Sequence, residues 1–195
     1  PLTSGKDSMK NDFKAEGVKI SVPPTILYSM TAKVNDVRNT ITSDFKKAGD
    51  VIYQLGETFN ELGASELYKL FGILGANVPI VRKEKAKELY EKCINAHKDG
   101  LILSSHDLSD GGLSVSLAES CIGTSLGINI DLNCLQSDLS NTVLLYAESH
   151  SRFIVSVAPE NTEAFELIMK DRAYKLGVVT DNPTLVIKRN GETLI

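Results

Sequence analysis

Short apolar runs of strand length recur in this chain between amphipathic stretches of helical period. The two do not alternate with the regular strand–helix–strand rhythm of a parallel sheet. The mixture predicts an α+β fold, a mixed β-sheet covered by helices. Val51 to Leu55, Leu101 to Ser104, Ile128 to Leu132, Phe153 to Val157, Val178-Val179 and Leu185 to Ile187 read as strands. Helices are expected over about Ala64 to Phe71, Lys83 to His97, Gly112 to Cys121, Leu139 to Ala147 and Glu160 to Lys170. In the second of these, Ala86, Leu89, Tyr90, Cys93 and His97 fall at helical spacing opposite Lys83, Glu84, Lys87, Glu88 and Glu91, and Gly100 supplies the stop.

The amino-terminal part reads differently. Ile26, Tyr28, Met30, Ala32 and Val34 alternate with polar neighbours, a period of two that predicts a half-buried strand, and Pro23-Pro24 forbids a helix just before it. From Asn35 to Gly49 the composition turns polar. A boundary is therefore expected near residue 46, dividing residues 1–45 from residues 46–195. The chain opens on Pro1 with a Gly5-Lys6 turn that nothing precedes, so the expectation is a piece of a longer polypeptide.

A net charge of −4, 6% aromatic residues and no tryptophan exclude nucleic acid as the main partner, which would require a concentrated basic surface or stacking platforms. No apolar run approaches the ~20 residues that span a bilayer and no leader-like segment opens the chain, so no membrane role and a cytoplasmic location are expected. Cys93, Cys121 and Cys134 are odd in number and widely spaced, which fits reduced, partly buried thiols.

The strongest chemical signal is Ser105-His106-Asp107-Leu108-Ser109-Asp110-Gly111-Gly112, expected as a loop between a strand and a helix start. Gly111 and Gly112 would admit a phosphate close to the backbone at a helix N-terminus. Asp107 and Asp110 would repel a bare phosphate, so a functional loop here requires a divalent cation, Mg²⁺ by its preference for oxygen. The competing reading is structural: Ser109 or Asp110 caps the helix and the glycines form the turn. His106 either satisfies a backbone carbonyl or faces a substrate. His97 reads as structural and His150 carries no signal. Ser4-Gly5-Lys6-Asp7-Ser8 is not a Walker A loop, because Asp7 stands where Ser or Thr must follow the lysine. Lys6, Asp7 and Ser8 can still present a cation, a carboxylate and a hydroxyl to a phosphorylated ligand. Ser65 can cap the helix that follows it, and Glu148 with Arg152 can form a structural pair or reach a cleft.

Five stretches in this order, Ser4 to Met9, Asn35 to Arg38, Asn60 to Ser65, His106 to Leu113, and Glu148-Ser149 with Arg152-Phe153, resemble the formylglycinamidine ribonucleotide synthetases of the AIR synthetase superfamily. The Gly5-Lys6-Asp7-Ser8-Met9 form resembles the second synthetase half of the long, single-chain enzymes. The resemblance implies an ATP-dependent reaction. ATP phosphorylates the amide oxygen of formylglycinamide ribonucleotide, and ammonia from a glutaminase domain displaces phosphate to give the amidine. It further implies that residues 1–45 are the tail of an ATP-binding domain, its last strand a remnant, and that residues 46–195 are the C-terminal-type domain. By the same carry-over Asp107 matches a Mg²⁺ ligand, Ser109 a nucleotide contact, and Mg²⁺ with ATP or ADP the cofactors, while no catalytic residue is assigned within this piece. In the long enzymes this half holds an ADP that is structural rather than catalytic. Two alternatives stand: a scaffolding domain only, or a domain of AIR synthetase, selenophosphate synthetase or thiamine-phosphate kinase, against which the Gly5 to Met9 stretch counts.

Overall fold

Residues 12–21, 29–34 and 36–195 are described in a computed structural model of the chain, which divides into one unit within Pro1–Asn39 and a second spanning Thr40–Ile195. In the first unit, β1 (Phe13–Ala15) and β2 (Val18–Ile20) form an antiparallel hairpin. Its two-residue turn, Glu16-Gly17, has φ of 51° and 80°, the left-handed pair whose twist matches that of the flanking strands. The alternating segment is corrected over residues 29–34, which form no strand and leave Met30 and Val34 exposed. A period of two buries a face only where a ladder partner and a covering layer exist. Residues 26–28 lie outside the described residues, as do Lys6, Asp7 and Ser8.

In the second unit a seven-stranded sheet is built from β3 (Val51–Leu55), β4 (Ser104–Asp107), β5 (Gly127–Asp131), β6 (Phe153–Val157), β7 (Ala173–Thr180), β8 (Leu185–Arg189) and β9 (Glu192–Thr193), in the order β4-β6-β3-β7-β5-β8-β9. Every neighbouring pair is antiparallel except β5 with β8, so the sheet is mixed, as the irregular alternation predicts. The helices are α1 (Glu66–Leu70), α2 (Lys83–Lys98), α3 (Gly112–Cys121), α4 (Asn141–Tyr146) and α5 (Thr162–Met169).

Alternation along the central strands divides the core between two faces. Ile52 and Ile154 join Leu113 and Leu117 of α3 and Leu144 and Leu145 of α4. Val51, Tyr53, Leu55, Val155 and Val157 join Leu89 and Ala96 of α2 and Phe165 and Met169 of α5. Helices thus cover both faces of the sheet.

The strand expected over Leu101 to Ser104 is displaced. Leu101 and Ile102 are buried in the α2–α5 core, and the ladder to β6 forms instead over Ser104–Asp107, so His106 and Asp107 belong to an edge strand and not to a loop. A ladder at the edge uses backbone groups alone and tolerates polar side chains, which is why apolar content misplaces it. The helix expected over Ala64 to Phe71 is shorter, Glu66–Leu70, with Leu70 and Phe71 exposed, and Tyr90 on the expected apolar face of α2 is exposed too. Of the thiols, Cys134 is exposed rather than partly buried, and burial pushes all three above the ordinary thiol range, Cys93 up to about 11.

Tyr53 is buried in the α2–α5 core with its ring 4.9 Å from that of Phe165, and its hydroxyl donates to Glu166 Oε1 at 2.6 Å. Burial first, then the neighbouring carboxylate, raises the phenol well above its ordinary value of 10.0. A raised folded-state pKa contributes stability that is intact below the unfolded value and lost as pH rises above it. Wild type is therefore expected to lose stability above about pH 10, and Tyr53→Phe should flatten that alkaline limb of a urea-midpoint profile. Parallel profiles for the two proteins would remove Tyr53 as the cause.

Candidate functional site

Arg152 organises the site from beneath. It is only 1% exposed and immediately precedes β6. Its Nε donates to the Ser149 carbonyl at 2.9 Å, Nη1 to Thr58 Oγ1 at 3.0 Å, and Nη2 to the Ala147 carbonyl. Burial pulls this guanidinium down to about 10, against the opposing charges of Glu61 and Glu148. These bonds fix the turn 147–151 that carries Glu148, His150 and Ser151 from α4 into the sheet.

Across from that turn lies the start of α3. Its N-cap is Gly111, left-handed at φ +77° and without a side-chain cap, so neither Ser109 nor Asp110 caps this helix. The cap comes from a distance: Glu148 Oε1 accepts the Gly111 amide at 2.8 Å and the Glu66 amide of α1 at 2.9 Å. One carboxylate thereby satisfies the first turns of two helices, the end at which negative charge is favoured. Ser65 caps α1 as expected, accepting the Tyr68 amide. Gly112 also has φ of +64°, and a Cβ built there would lie 2.5 Å from the Ala147 carbonyl oxygen. Gly112 therefore lets α3 pack onto the chain leaving α4, while a Cβ at Gly111 would meet the Val115 side chain of α3 itself. The amides of both glycines are engaged within the fold, Gly111 by Glu148 and Gly112 by the Ser109 carbonyl.

Asp107, Ser109 and Asp110 face Glu148, His150 and Ser151 across a cleft of about 380 Å³, with Pro79 and Tyr90 at its rim. The Asp107 side chain is 68% exposed, open to a ligand. His106 is mostly covered, and its Nδ1 lies 3.4 Å from Asp107 Oδ1. Its Nδ1 lies 2.7 Å from the Asp107 carbonyl oxygen and its Nε2 3.1 Å from Glu119 Oε2 of α3. That is the structural alternative for His106, although the side chain keeps 17% exposure.

Two exposed carboxylates, Asp107 and Asp110, stand at this mouth with the half-buried Glu148 beside them, and the one guanidinium among its lining residues, Arg152, is buried beneath, so the mouth favours cations or a cation-bridged anion. Among the described residues no three of histidine, cysteine, aspartate and glutamate gather to hold a metal. Asp107 offers an oxygen donor of the type that a hard cation prefers, and among the described residues no metal-holding group of three forms around it. The structure thus brings Asp107, Ser109 and Asp110 together and adds Glu148, His150 and Ser151. His150 gave no sequence signal because a lone histidine in a polar turn has no periodic partner. Glu148 does reach a cleft, one of the two roles open to it.

A second cluster stands beside this one. Buried Glu61 pairs with Arg82 at 2.8 Å and accepts the Ile80 amide at 3.3 Å, and Arg82 lies 3.4 Å above the Phe59 ring. Burial, the largest single influence, raises the Glu61 carboxyl, but Arg82, Ser149 and the Ile80 amide together outweigh it and hold the group below its ordinary range.

Residues 47–190 match the family model described as AIR synthase related protein, C-terminal domain. Among solved structures, PurL of T. maritima complexed with FGAR shares the fold at a TM-score of 0.72 with 18% identity over 82% of this chain and 28% of that one. The same protein complexed with ATP gives 0.64 and 19%, over 82% of this chain and 26% of that one. Hydrogenase maturation protein HypE in complex with ATP gives 0.56 and 16%, over 82% and 54%. The chain thus spans little more than a quarter of the PurL chains it matches.

Proposed function

Since this chain belongs to the AIR synthase related family by its C-terminal domain, we propose that it is that domain of the second synthetase half of a long formylglycinamidine ribonucleotide synthetase, where it walls a nucleotide site. The observation that carries the reading is the exposed Asp107 beside Ser109 at the mouth of an acidic cleft. Asp107 provides one oxygen ligand to Mg²⁺ and Ser109 a hydrogen bond to the nucleotide. The ion, when bound, neutralises phosphate charge that Asp107, Asp110 and Glu148 would otherwise repel. Glu148 keeps the β4–α3 junction in place by holding the Gly111 amide. The glutaminase, the formylglycinamide ribonucleotide site and the rest of the ATP-binding domain belong to other parts of the polypeptide on this reading, with residues 1–45 as the tail of that domain.

The contrasting reading is a domain that only scaffolds, favoured by the engagement of both glycine amides within the fold. One comparison separates the two. In the full-length protein, Asp107→Asn keeps the shape and removes the charge. On the nucleotide reading it lowers retained Mg²⁺–ADP by at least ~10-fold and lowers the melting temperature, because a ligand held by the native state alone stabilises it by mass action. Equal nucleotide content and melting temperature in both proteins, with and without chelator, would leave scaffolding as the function.

The isolated 195-residue chain is expected to form no amidine and to release no glutamate from glutamine. Nucleophilic cysteines need a depressed pKa, and burial moves all three here the other way. Glutamate release by this chain alone would overturn the expectation.

A further inference from the structure

Between α1 and α2 runs Leu70-Phe71-Gly72-Ile73-Leu74-Gly75-Ala76-Asn77-Val78-Pro79-Ile80-Val81, a stretch without one charged residue in a chain that is 24% charged. Leu70, Phe71, Ile73, Leu74, Ile80 and Val81 each leave more than half of their surface in water. The segment is not a slack loop. The Ala64 amide donates to the Leu74 carbonyl at 2.6 Å, that of Gly63 to Asn77 at 2.8 Å, and that of Ile73 to Tyr68 at 2.9 Å. The Ile80 amide is bonded to buried Glu61. Gly63 and Gly75 admit this close return of the chain, since a Cβ at Gly63 would lie 2.7 Å from Asn77 and one at Gly75 2.6 Å from the Tyr68 ring. The backbone is thus pinned with its apolar side chains held outward, the reverse of what a chain seeking only its own burial would adopt. A contiguous exposed apolar surface of this kind marks an interaction site.

We propose that residues 70–81 are the docking surface for a second folded domain of the same polypeptide, one that presents an apolar, uncharged face. This rests on the reading above that the chain is one domain of a longer synthetase. The absence of charge fixes the chemistry of the occupant, because a charged residue opposite this segment would be desolvated without a partner. The matched part is 26–28% of the length of the PurL chains that share the fold, so proteins of this architecture carry ample chain to supply such a domain. Docking has a consequence for the site. Pro79 of this segment lines the same cleft as Asp107 and Asp110, so a domain seated on residues 70–81 stands at the edge of that cleft.

Hydroxyl-radical footprinting tests this by reading side-chain exposure directly. Oxidation at Phe71, Leu74 and Ile80 is expected to fall several-fold in the full-length polypeptide relative to the isolated chain. A Leu74→Ser/Ile80→Ser double variant should leave the melting temperature of the isolated chain unchanged, because both side chains are in water, and restore Phe71 oxidation in the full-length protein. Equal labelling in the two wild-type forms overturns the proposal. So does protection of the isolated chain that grows with its own concentration, which assigns the surface to a second copy. Protection produced only by phosphatidylcholine vesicles assigns it to a membrane and likewise overturns it. Retained ADP, measured on the same preparations, separates the two ideas. Loss of nucleotide binding with the patch still protected defeats the nucleotide reading alone, and an unprotected patch with ADP retained defeats the docking surface alone.

Discussion

Arg152→Met is expected to lower the unfolding free energy by about 3–5 kcal/mol, a large share of the ~5–15 kcal/mol that holds a domain together. Methionine fills much of the volume but leaves the Ser149 and Ala147 carbonyls and the Thr58 hydroxyl without the donors that Arg152 provides. It also removes the positive charge beneath Glu61 and Glu148, so two carboxylates lose their shared counter-charge. Arg152→Lys keeps the charge and surrenders the fork, and should recover only part of the loss. Urea unfolding of the three proteins measures this. A loss below about 1 kcal/mol for the methionine variant would mean that the guanidinium contributes packing volume and little else.

Gly112→Ala is expected to cost about 3 kcal/mol, which combines the ~1–2 kcal/mol of a left-handed alanine with the displacement of a packed backbone. The added methyl would sit 2.5 Å from the Ala147 carbonyl and 3.0 Å from that of Leu145. Gly123→Ala provides the control. Its φ is +82° but nothing lies within 4 Å of the new Cβ, so it carries the conformational cost alone. At ~2–4 °C per kcal/mol for a chain of this size, the Gly112 variant should melt roughly 10 °C below wild type and clearly below the Gly123 variant. Indistinguishable melting temperatures would show that α3 does not rest on the exit of α4 as tightly as described. Because α3 begins at the Asp107–Gly112 junction, the same variant should also disturb the cleft.

The elements that periodicity placed well are those whose side chains meet the core. Val51–Leu55, Phe153–Val157 and Gly112–Cys121 appear as read, each because an apolar run or stripe faces a covered surface. The eight-residue β7 was visible only at Val178-Val179, since Tyr174, Lys175 and Gly177 interrupt its apolar content while its ladder to β3 and β5 continues through the backbone. At the site, the sequence identified the Asp107–Gly112 stretch and left its glycines either to a phosphate or to a turn, with no sign of the packing that Gly112 permits. What Gly112 accommodates, the Ala147 carbonyl, lies 35 residues away along the chain and comes close only after folding. Glu148 as a remote cap has the same character. A capping box is a local pattern, whereas a carboxylate shared between two helix starts is created by the tertiary structure.

The strand order carries a consequence for synthesis. β3, the first strand of the sheet to leave a ribosome, lies in the middle of it, hydrogen-bonded to β6 on one side and to β7 on the other. Val51 pairs with Val157 and with Val178, so the ladder on either side of it joins residues more than a hundred positions apart. At ~5–20 residues per second, a nascent chain must hold β3 without its neighbours for on the order of ten seconds. During that time Val51, Ile52, Tyr53 and Leu55 have no neighbouring strand of the sheet to pair with, and the loop-closure entropy of both long connections has still to be overcome. Folding of this domain is therefore tied to the arrival of its last third. Truncations that stop short of β7 are expected to yield aggregation-prone chains and not smaller folded ones.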